Sequence, residues 1–214
     1  MGRRWVVLDV GETLIDETRV WTLWADLLGV PRLTFMAAFG GTIARGGEHR
    51  DIFGTFGATD WHERWPAHEA LYGGFQADDL YPDALPAMEV LRKRGYRLAV
   101  IGNQPASRTE QLRALGVDAE VIAMSAEMGV SKPAPAFFDR TLELLGLPDP
   151  ASVAYVGDRV GNDVLPALAA GMRAVWIRRG PWGVTERLPD GVRPALVVDT
   201  LAELAERIDE AWPG

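Results

Sequence analysis

The chain contains no cysteine, and this absence excludes several kinds of chemistry. Disulfides, thiolate nucleophiles and cysteine-ligated zinc or iron–sulfur centres all need that residue. Basic residues are also in deficit, with 22 Lys and Arg against 30 Asp and Glu in 214 residues, a formal net charge of −8. Nucleic-acid and anionic-membrane surfaces need clustered basic charge, so we expect no partner of either kind.

Long apolar runs are missing as well. The apolar stretch Trp5–Leu8 is cut by Asp9, which makes it too short for a signal peptide or a membrane-spanning helix. We therefore expect a cytoplasmic protein. The four serines form no G-x-S-x-G motif, and the three histidines form no H-E-x-x-H motif. Glycine-rich loops of the P-loop or dinucleotide-binding type are absent too, so nucleotide binding by those devices is not expected.

Short apolar strands alternate with helical patterns in most of the chain, which is typical of α/β proteins. The predicted strands are Trp5–Leu8, Tyr96–Ile101, Ala119–Ala123, Ser152–Val156, Arg173–Ile177 and Ala195–Val198. The predicted helices between the later strands are Ala84–Lys93, Arg108–Leu115, Ala136–Leu145, Asp163–Ala170 and Leu201–Ala211. Such alternation predicts right-handed βαβ units. The expected fold is a Rossmann-like three-layer α/β core with a parallel sheet.

Residues 16–79 break this rhythm, because they contain helical patterns and no strand-like run. Helices are predicted at Thr18–Leu28, Leu33–Ala44 and Trp61–Tyr72. We expect an all-helical cap domain at 16–79 that is inserted into a core formed by 1–15 and 80–214. Four of the eight tryptophans lie in this segment, at positions 21, 24, 61 and 65. They form either the core of the helical domain or, in part, the wall of a substrate pocket.

Carboxylates follow two of the predicted strands. Asp9 ends the first strand, Asp158 follows Ser152–Val156, and Asp163 comes five residues later. If the two strands are neighbours, Asp9 and Asp158 converge in one crevice at the carboxyl edge of the sheet, where ligands bind in such folds. Converging carboxylates repel one another unless a cation such as a divalent metal ion is present. Asp163 could equally be a helix cap, and Lys132 could be an ordinary solvated loop lysine.

The same residues carry a resemblance to a known family. The segment from Asp9 to Leu14 (DVGETL) resembles the first motif of the haloacid dehalogenase (HAD) superfamily, D-x-D-x-T. Residues 130–135 (VSKPAP) are similar to its lysine motif, and residues 156–163 (VGDRVGND) are similar to its acidic motif. Residues 80–103 resemble the return from a helical cap into the second core strand. All four lie in the family's order over roughly residues 5 to 180.

This resemblance implies a role for each matching position. Asp9 would attack the phosphorus of a phosphomonoester and form an aspartyl-phosphate. Mg²⁺ would be bound by Asp9, the backbone carbonyl of Gly11 and Asp158, with Asp163 supporting the site. Lys132 would neutralise the nucleophile and the phosphoryl oxygens, and the helical insertion would act as a lid that selects the substrate.

Two positions depart from the family's pattern. Gly11 stands where the family's phosphatases have a second aspartate, which protonates the leaving alcohol and later activates water. Gly102 stands where a Ser or Thr would bind phosphate, so the Gly102 N–H and the Asn103 amide are the expected phosphate-binding groups. Glu12 replaces a small residue; it is either a displaced acid/base or, as we expect, a surface or cap-facing carboxylate. General acid–base help is worth ~10²–10⁴ in rate, so ordinary alkyl phosphates should be poor substrates.

Three functions therefore compete. The preferred one is a Mg²⁺-dependent phosphatase that acts on a small phosphorylated molecule. It would hydrolyse esters with good leaving groups, or it would use a proton donor from the cap domain, such as a histidine. The second is a catalytically weak HAD-fold module that binds a metal ion or a phosphate ligand, or has a regulatory role. The third is a haloacid dehalogenase, which the acid at Asp158 disfavours because that branch of the family lacks it. The oligomeric state stays open, with a homodimer among the options.

Overall fold

A six-stranded parallel sheet forms the centre of the computed structural model, which describes residues 4–213. In chain order the strands are β1 (Trp5–Leu8), β2 (Arg97–Gly102), β3 (Val121–Met124), β4 (Val153–Gly157), β5 (Arg173–Ile177) and β6 (Leu196–Val198). Their order across the sheet is β3-β2-β1-β4-β5-β6. The predicted α/β class and parallel sheet are confirmed. The chain moves outward from β1 on one side and from β4 on the other, so the β1–β4 boundary is the topological switch point where ligands bind in such sheets.

Apolar residues cover both faces of the sheet, which explains why the strands read as continuous apolar runs. Val6 and Leu8 of β1 face one core, and Trp5 and Val7 face the other. The helices of the α/β part are α5 (Ala84–Lys93), α6 (Arg108–Ala114), α7 (Ser125–Met128), α8 (Pro135–Leu144), α9 (Leu165–Ala169), α10 (Gly180–Thr185) and α11 (Leu201–Arg207). Helices α5 and α11 pack on the first face, and α8 and α9 pack on the second.

The predicted helices differ from the observed ones mainly at their ends. The pattern at 163–170 predicts one helix, but a π-helical turn at Val160–Val164 precedes the short helix α9. The pattern at 201–211 likewise divides into α11 and a 3₁₀ turn at Ile208–Ala211. Two further 3₁₀ turns lie at Ala77–Asp79 and Pro150–Ser152. Helices α7 and α10 were not predicted, because four to six residues are too few to show a helical period.

Between β1 and α5 the described chain forms four further helices: α1 (Thr18–Leu27), α2 (Arg32–Ala44), α3 (Asp51–Thr55) and α4 (Trp61–Tyr72). They enclose an aromatic core in which Trp24 lies edge-on to Phe53, with ring centroids 4.7 Å apart, and stacks on His68 at 4.4 Å. Trp182 of α10 enters the same core. Among the described residues no single helix has the length and hydropathy to cross a membrane. The α1–α2 pair, which is bent by 117°, meets the criterion when taken together, on length and composition alone.

Candidate active site

Asp9 and Asp158 lie side by side at the carboxyl edge of the sheet, after its two central strands. Leu8 pairs with Val156 across β1 and β4, and the Asp9 N–H donates a hydrogen bond to the Val156 carbonyl at 2.9 Å. Asp163 comes from the π-helical turn, and carboxylate oxygens of the three aspartates lie within 4.8 Å of one another. All three side chains are buried. The structure thus brings together the carboxylates that the sequence places at neighbouring strand ends.

Lys132 is the cation of this cluster. Its Nζ lies 2.7 Å from Asp9 Oδ1 and 2.6 Å from Asp163 Oδ1. Its side chain is only 3% exposed, and Nζ is 5.5 Å from the centre of the Tyr155 ring. The alternative of a solvated loop lysine is therefore wrong: the loop before α8 carries this ammonium group into the sheet edge.

Three carboxylates and one ammonium group share this buried space, so negative charge is in excess. Burial raises the pKa of Asp9, although Lys132 opposes the shift. Burial also raises the pKa of Asp158 well above its usual range, and the charges of Asp163 and Asp9 add to this. Against the effect of burial, the same two charges raise the pKa of Lys132 well above its usual range. The negative charge of the three carboxylates thus exceeds the positive charge of Lys132, which favours the binding of a further cation.

Asp158 supplies the observation that decides whether a metal ion fits. Its Oδ2 is buried and has no hydrogen-bond partner among the described residues, a costly situation for a carboxylate oxygen. Gly11 lines the same cavity as Asp9 and Asp158, so hard oxygen ligands of the type that Mg²⁺ prefers are available. Asp163 accepts hydrogen bonds from Lys132 Nζ and, at 2.9 Å, from the Arg159 N–H. The donor set thus fits Mg²⁺, with Asp163 in a supporting position.

Gly157 makes room for Asp163. A Cβ atom at position 157 would lie 2.3 Å from Cγ of Asp163 and 2.6 Å from its Cβ. Real Cβ atoms do not approach so closely, so the carboxylate reaches Lys132 only because glycine precedes Asp158. This close approach gives a physical reason for the glycine in the G-D-x-x-x-x-D pattern.

Asn103 lines the cavity beside Asp9 and Lys132, and its side chain binds the lysine loop. Its Nδ2 donates to the Lys132 carbonyl at 3.0 Å, and its Oδ1 accepts from the Lys132 N–H at 2.9 Å. Both ends of the amide thus bind the backbone of residue 132, so the side chain clamps the lysine loop, and its part in phosphate binding stays a prediction. At Gly102 a Cβ would lie 2.4 Å from Asp9 Oδ1, so Asp9 occupies the space that a Ser or Thr side chain would need.

A cavity of about 760 Å³ lies between this cluster and the helices inserted after β1. Asp9, Lys132 and Asp158 form its floor, and the four tryptophans predicted for the helical segment line it from above. Trp24 is also the most buried of these rings, at 1% exposure. The two interpretations of the tryptophans are therefore compatible, since one set of rings forms the aromatic core and faces the cavity.

Glu12 is not at the surface, so the surface alternative is wrong, but its contact with Glu17 agrees with a carboxylate that faces the inserted helices. Its side chain is buried beside the segment that returns from the helical insertion. The Tyr81 hydroxyl donates to Oε2 at 2.5 Å, and the Glu17 N–H donates to Oε1 at 3.0 Å. Burial, with the nearby Glu17 charge, raises the pKa of Glu12 to about 7. Both carboxylate oxygens of Glu12 thus accept hydrogen bonds, and one of these bonds fixes the backbone at Glu17, just before α1.

Glu17 is the residue that sequence reasoning missed. Its Oε1 lies 2.4 Å from the point that a Cβ atom on Gly11 would occupy, and it lines the cavity together with Asp9. Burial raises its pKa, and the Arg159 charge opposes the shift. The one signal in the sequence is that this acid directly precedes the first inserted helix, a position that it shares with many helix-flanking glutamates.

The three histidines have different surroundings. His68 is fixed inside the aromatic core, where its Nε2–H donates to the Val20 carbonyl at 3.0 Å. His62 is exposed on α4. His49 lines the cavity, and burial, aided by the Arg159 and Arg50 charges, lowers its pKa to about 3. A histidine with that pKa carries no proton to donate near neutral pH.

Comparison with known proteins agrees with this geometry. The family model for haloacid dehalogenase-like hydrolases matches residues 4–171. Glyceraldehyde 3-phosphate phosphatase of Methanopyrus kandleri is 35% identical over 133 residues, 61% of this chain and 57% of that protein. Phosphoserine phosphatase of Thermus thermophilus is 32% identical over 169 residues, 78% of this chain and 66% of that protein. The matches thus span 57% and 66% of these relatives, less than two thirds of either.

Among solved structures, a HAD phosphatase from Thermococcus onnurineus has the same fold, with a TM-score of 0.61 and 25% identity over 96% of this chain and 97% of that one. A parallel sheet with a lysine and three aspartates at its switch point defines the class of protein as a HAD-fold hydrolase. The family match extends through all of these residues, and the chain belongs to the haloacid dehalogenase-like hydrolases.

Proposed function

We propose that this chain hydrolyses the phosphate monoester of a small molecule, with Asp9 as the nucleophile and Mg²⁺ as the cofactor. One observation carries the proposal: Lys132 Nζ is 2.7 Å from Asp9 Oδ1 while Asp158, at the next strand end, keeps an unpartnered oxygen. Phosphoryl transfer depends on in-line positioning and on compensation of oxygen charge. A buried carboxylate with one protein cation and room for a second matches those needs. Phosphatases among the relatives add support.

The reaction on Asp9 would proceed in two displacements. A carboxylate oxygen of Asp9 attacks phosphorus, the P–O bond to the leaving alcohol breaks, and Asp9 becomes an aspartyl-phosphate. Water then attacks that phosphorus, which releases inorganic phosphate and restores the carboxylate. Because Lys132 contacts Asp9 directly, its charge lowers the repulsion between the carboxylate and the phosphoryl oxygens in both steps.

Asp9, Asp158 and the Gly11 carbonyl would hold Mg²⁺, and Asp163 would support them. When bound, the ion supplies further compensation of phosphoryl charge. The protein contributes the rigidity of the arrangement: Asn103 clamps the Lys132 backbone, and the Arg159 N–H fixes Asp163. The helices above the cavity exclude bulk water and contact the leaving group, so the choice of substrate is assigned to them.

A substrate panel with and without Mg²⁺ tests this function. We expect p-nitrophenyl phosphate to be hydrolysed only with Mg²⁺ present, and chelation by EDTA to stop the reaction. Asp9→Asn should fold and lose all turnover, because the amide keeps the shape but cannot attack phosphorus. Asp139→Asn, an exposed substitution of the same type on α8, is the matched control. Halide release from a 2-haloacid would show a dehalogenase instead, and Mg²⁺ binding without any turnover would show a binding module.

A further inference from the structure

The space beside Gly11 is occupied by another residue's carboxyl group. Glu17 Oε1 lies 2.4 Å, and Cδ 2.9 Å, from the position of a Cβ on residue 11. Two side chains cannot share that volume, so a residue with a side chain at 11 and the observed Glu17 exclude each other. The Glu17 carboxyl group thus occupies the space into which a side chain at position 11 would extend, at the floor of the cavity.

The backbone around Glu17 is fixed from several sides. The Glu17 N–H donates to Glu12 Oε1 at 3.0 Å, and the Asp16 N–H donates to the Asp79 carbonyl at 2.8 Å. Asp16 Oδ1 accepts from the Thr18 N–H at 2.8 Å, and the Glu17 carbonyl accepts from the Trp21 N–H at 3.2 Å. A carboxyl group on so constrained a segment has a defined position, as a group that moves a proton during catalysis requires.

The other ionisable side chains on the cavity wall are less suited to proton transfer. Glu12 is held by Tyr81 and by the Glu17 backbone. Glu69 is paired with Arg108, with Oε2 2.8 Å from Nη2. His49 is kept neutral by burial. Glu48 is 82% exposed. Among the described carboxyl groups that line the cavity, Glu17 is the one that lies against the loop between Asp9 and Glu12.

We infer that Glu17 is a further catalytic residue, the general acid and base that replaces the side chain missing at Gly11. This inference rests on the proposed phosphatase function. In the first displacement the Glu17 carboxyl group gives its proton to the leaving alcohol oxygen as the P–O bond breaks. In the second, the Glu17 carboxylate takes a proton from the water that attacks the aspartyl-phosphate, which returns Glu17 to its starting form. Basic leaving groups need that proton most, so the chain is equipped for alkyl phosphates despite Gly11.

The test compares an alkyl phosphate, glycerol phosphate, with p-nitrophenyl phosphate, whose leaving group departs without a proton. Glu17→Gln should slow the first displacement, measured as single-turnover release of the alcohol, by ~10²-fold or more for the alkyl ester and by less than ~10-fold for the aryl ester. Glu63→Gln, at an exposed site on α4, should leave both rates unchanged. Equal losses in this first displacement on both esters, or no loss on either, would overturn the inference.

Two further variants keep the test decisive if Glu17→Gln does not fold. Gly11→Ala retains the backbone carbonyl, but its Cβ displaces the Glu17 carboxyl group, so it should cause the same selective loss. The double variant Gly11→Asp/Glu17→Gln supplies a new acid in the old place and should regain at least ~10-fold on the alkyl ester. Full alkyl activity in Gly11→Ala, or no gain in the double variant, contradicts the role of Glu17. Absence of Mg²⁺-dependent aryl turnover in the unaltered protein would instead refute the phosphatase function itself.

Discussion

The Lys132 ammonium group bridges Asp9 and Asp163, at 2.7 Å and 2.6 Å, and thereby joins the ends of the cluster. Removing it leaves Asp9 and Asp163 without the cation that contacts both of them. Such a loss costs about 3–5 kcal/mol, so Lys132→Met should lower the free energy of unfolding by that order and abolish turnover. Chemical denaturation without metal measures the effect.

Lys93→Met is the matched control, because Lys93, the other lysine of the chain, forms an exposed ion pair. This substitution should lower the free energy of unfolding by less than about 1 kcal/mol. Equal costs would contradict the role of Lys132.

Asp158→Asn should change the response to Mg²⁺ more than it changes the fold. Its Oδ2 lacks a partner and its charge adds to the repulsion in the cluster, so the metal-free variant should be as stable as the unaltered protein or more stable. An ion at 100 times its Kd stabilises a folded protein by about 2.7 kcal/mol, and the variant should lose most of this gain. A thermal-shift titration with MgCl₂ measures it, with Asp139→Asn as the control of equal charge. An undiminished shift in Asp158→Asn would mean that the ion binds elsewhere.

Gly157 and Gly161 lie in the same segment, but replacing each of them by alanine should have different effects on stability. A Cβ at Gly157 would meet Asp163 at 2.3 Å, whereas a Cβ at Gly161 meets nothing within 4 Å. Gly157→Ala should therefore displace Asp163, destabilise the protein by about 1–3 kcal/mol and reduce turnover. Gly161→Ala should be neutral or slightly stabilising. Denaturation and kinetics on both proteins decide the matter, and a harmless Gly157→Ala would show that Asp163 needs no such space.

His49 should make the stability of the protein depend on pH. Burial, with Arg159 and Arg50, lowers its pKa to about 3, while the rings of Trp21 and Trp182 enclose it and Glu48 lies 4.0 Å away. The unfolded chain takes up a proton near pH 6.5 and the folded chain resists it, so stability is lost as pH falls. Between pH 7 and pH 5 this loss amounts to about 1–2 kcal/mol.

His49→Gln removes the titrating group and should flatten the stability curve over that interval. Unfolding free energies at pH 5, 6 and 7 measure this for both proteins, and all other titrating groups are common to the two. Parallel curves would show that His49 is protonated in the folded state as readily as in the unfolded one.

Particular residues show how far the sequence alone could lead. Asp9 and Asp158 could be placed at one sheet edge because each ends an apolar strand, and parallel strands carry their carboxyl ends to the same side. Whether β1 and β4 are neighbours could not be derived from periodicity. The Asn103 clamp and the approach of Glu17 to Gly11 were also out of reach, because both depend on loop conformations and on the space that a missing Cβ leaves.

The position of β1 has a consequence for how the protein is made. Trp5–Leu8 is the first strand to be synthesised, yet its neighbours are β2 and β4, and Trp5 pairs with Val153 about 150 residues later. At ~5–20 residues per second a ribosome takes roughly 10 s or more to reach that partner. During this time the four apolar residues of β1, buried in the finished protein, can pair with β2 but not with β4. One edge of β1 therefore stays unpaired until β4, in the second half of the sheet, has been synthesised.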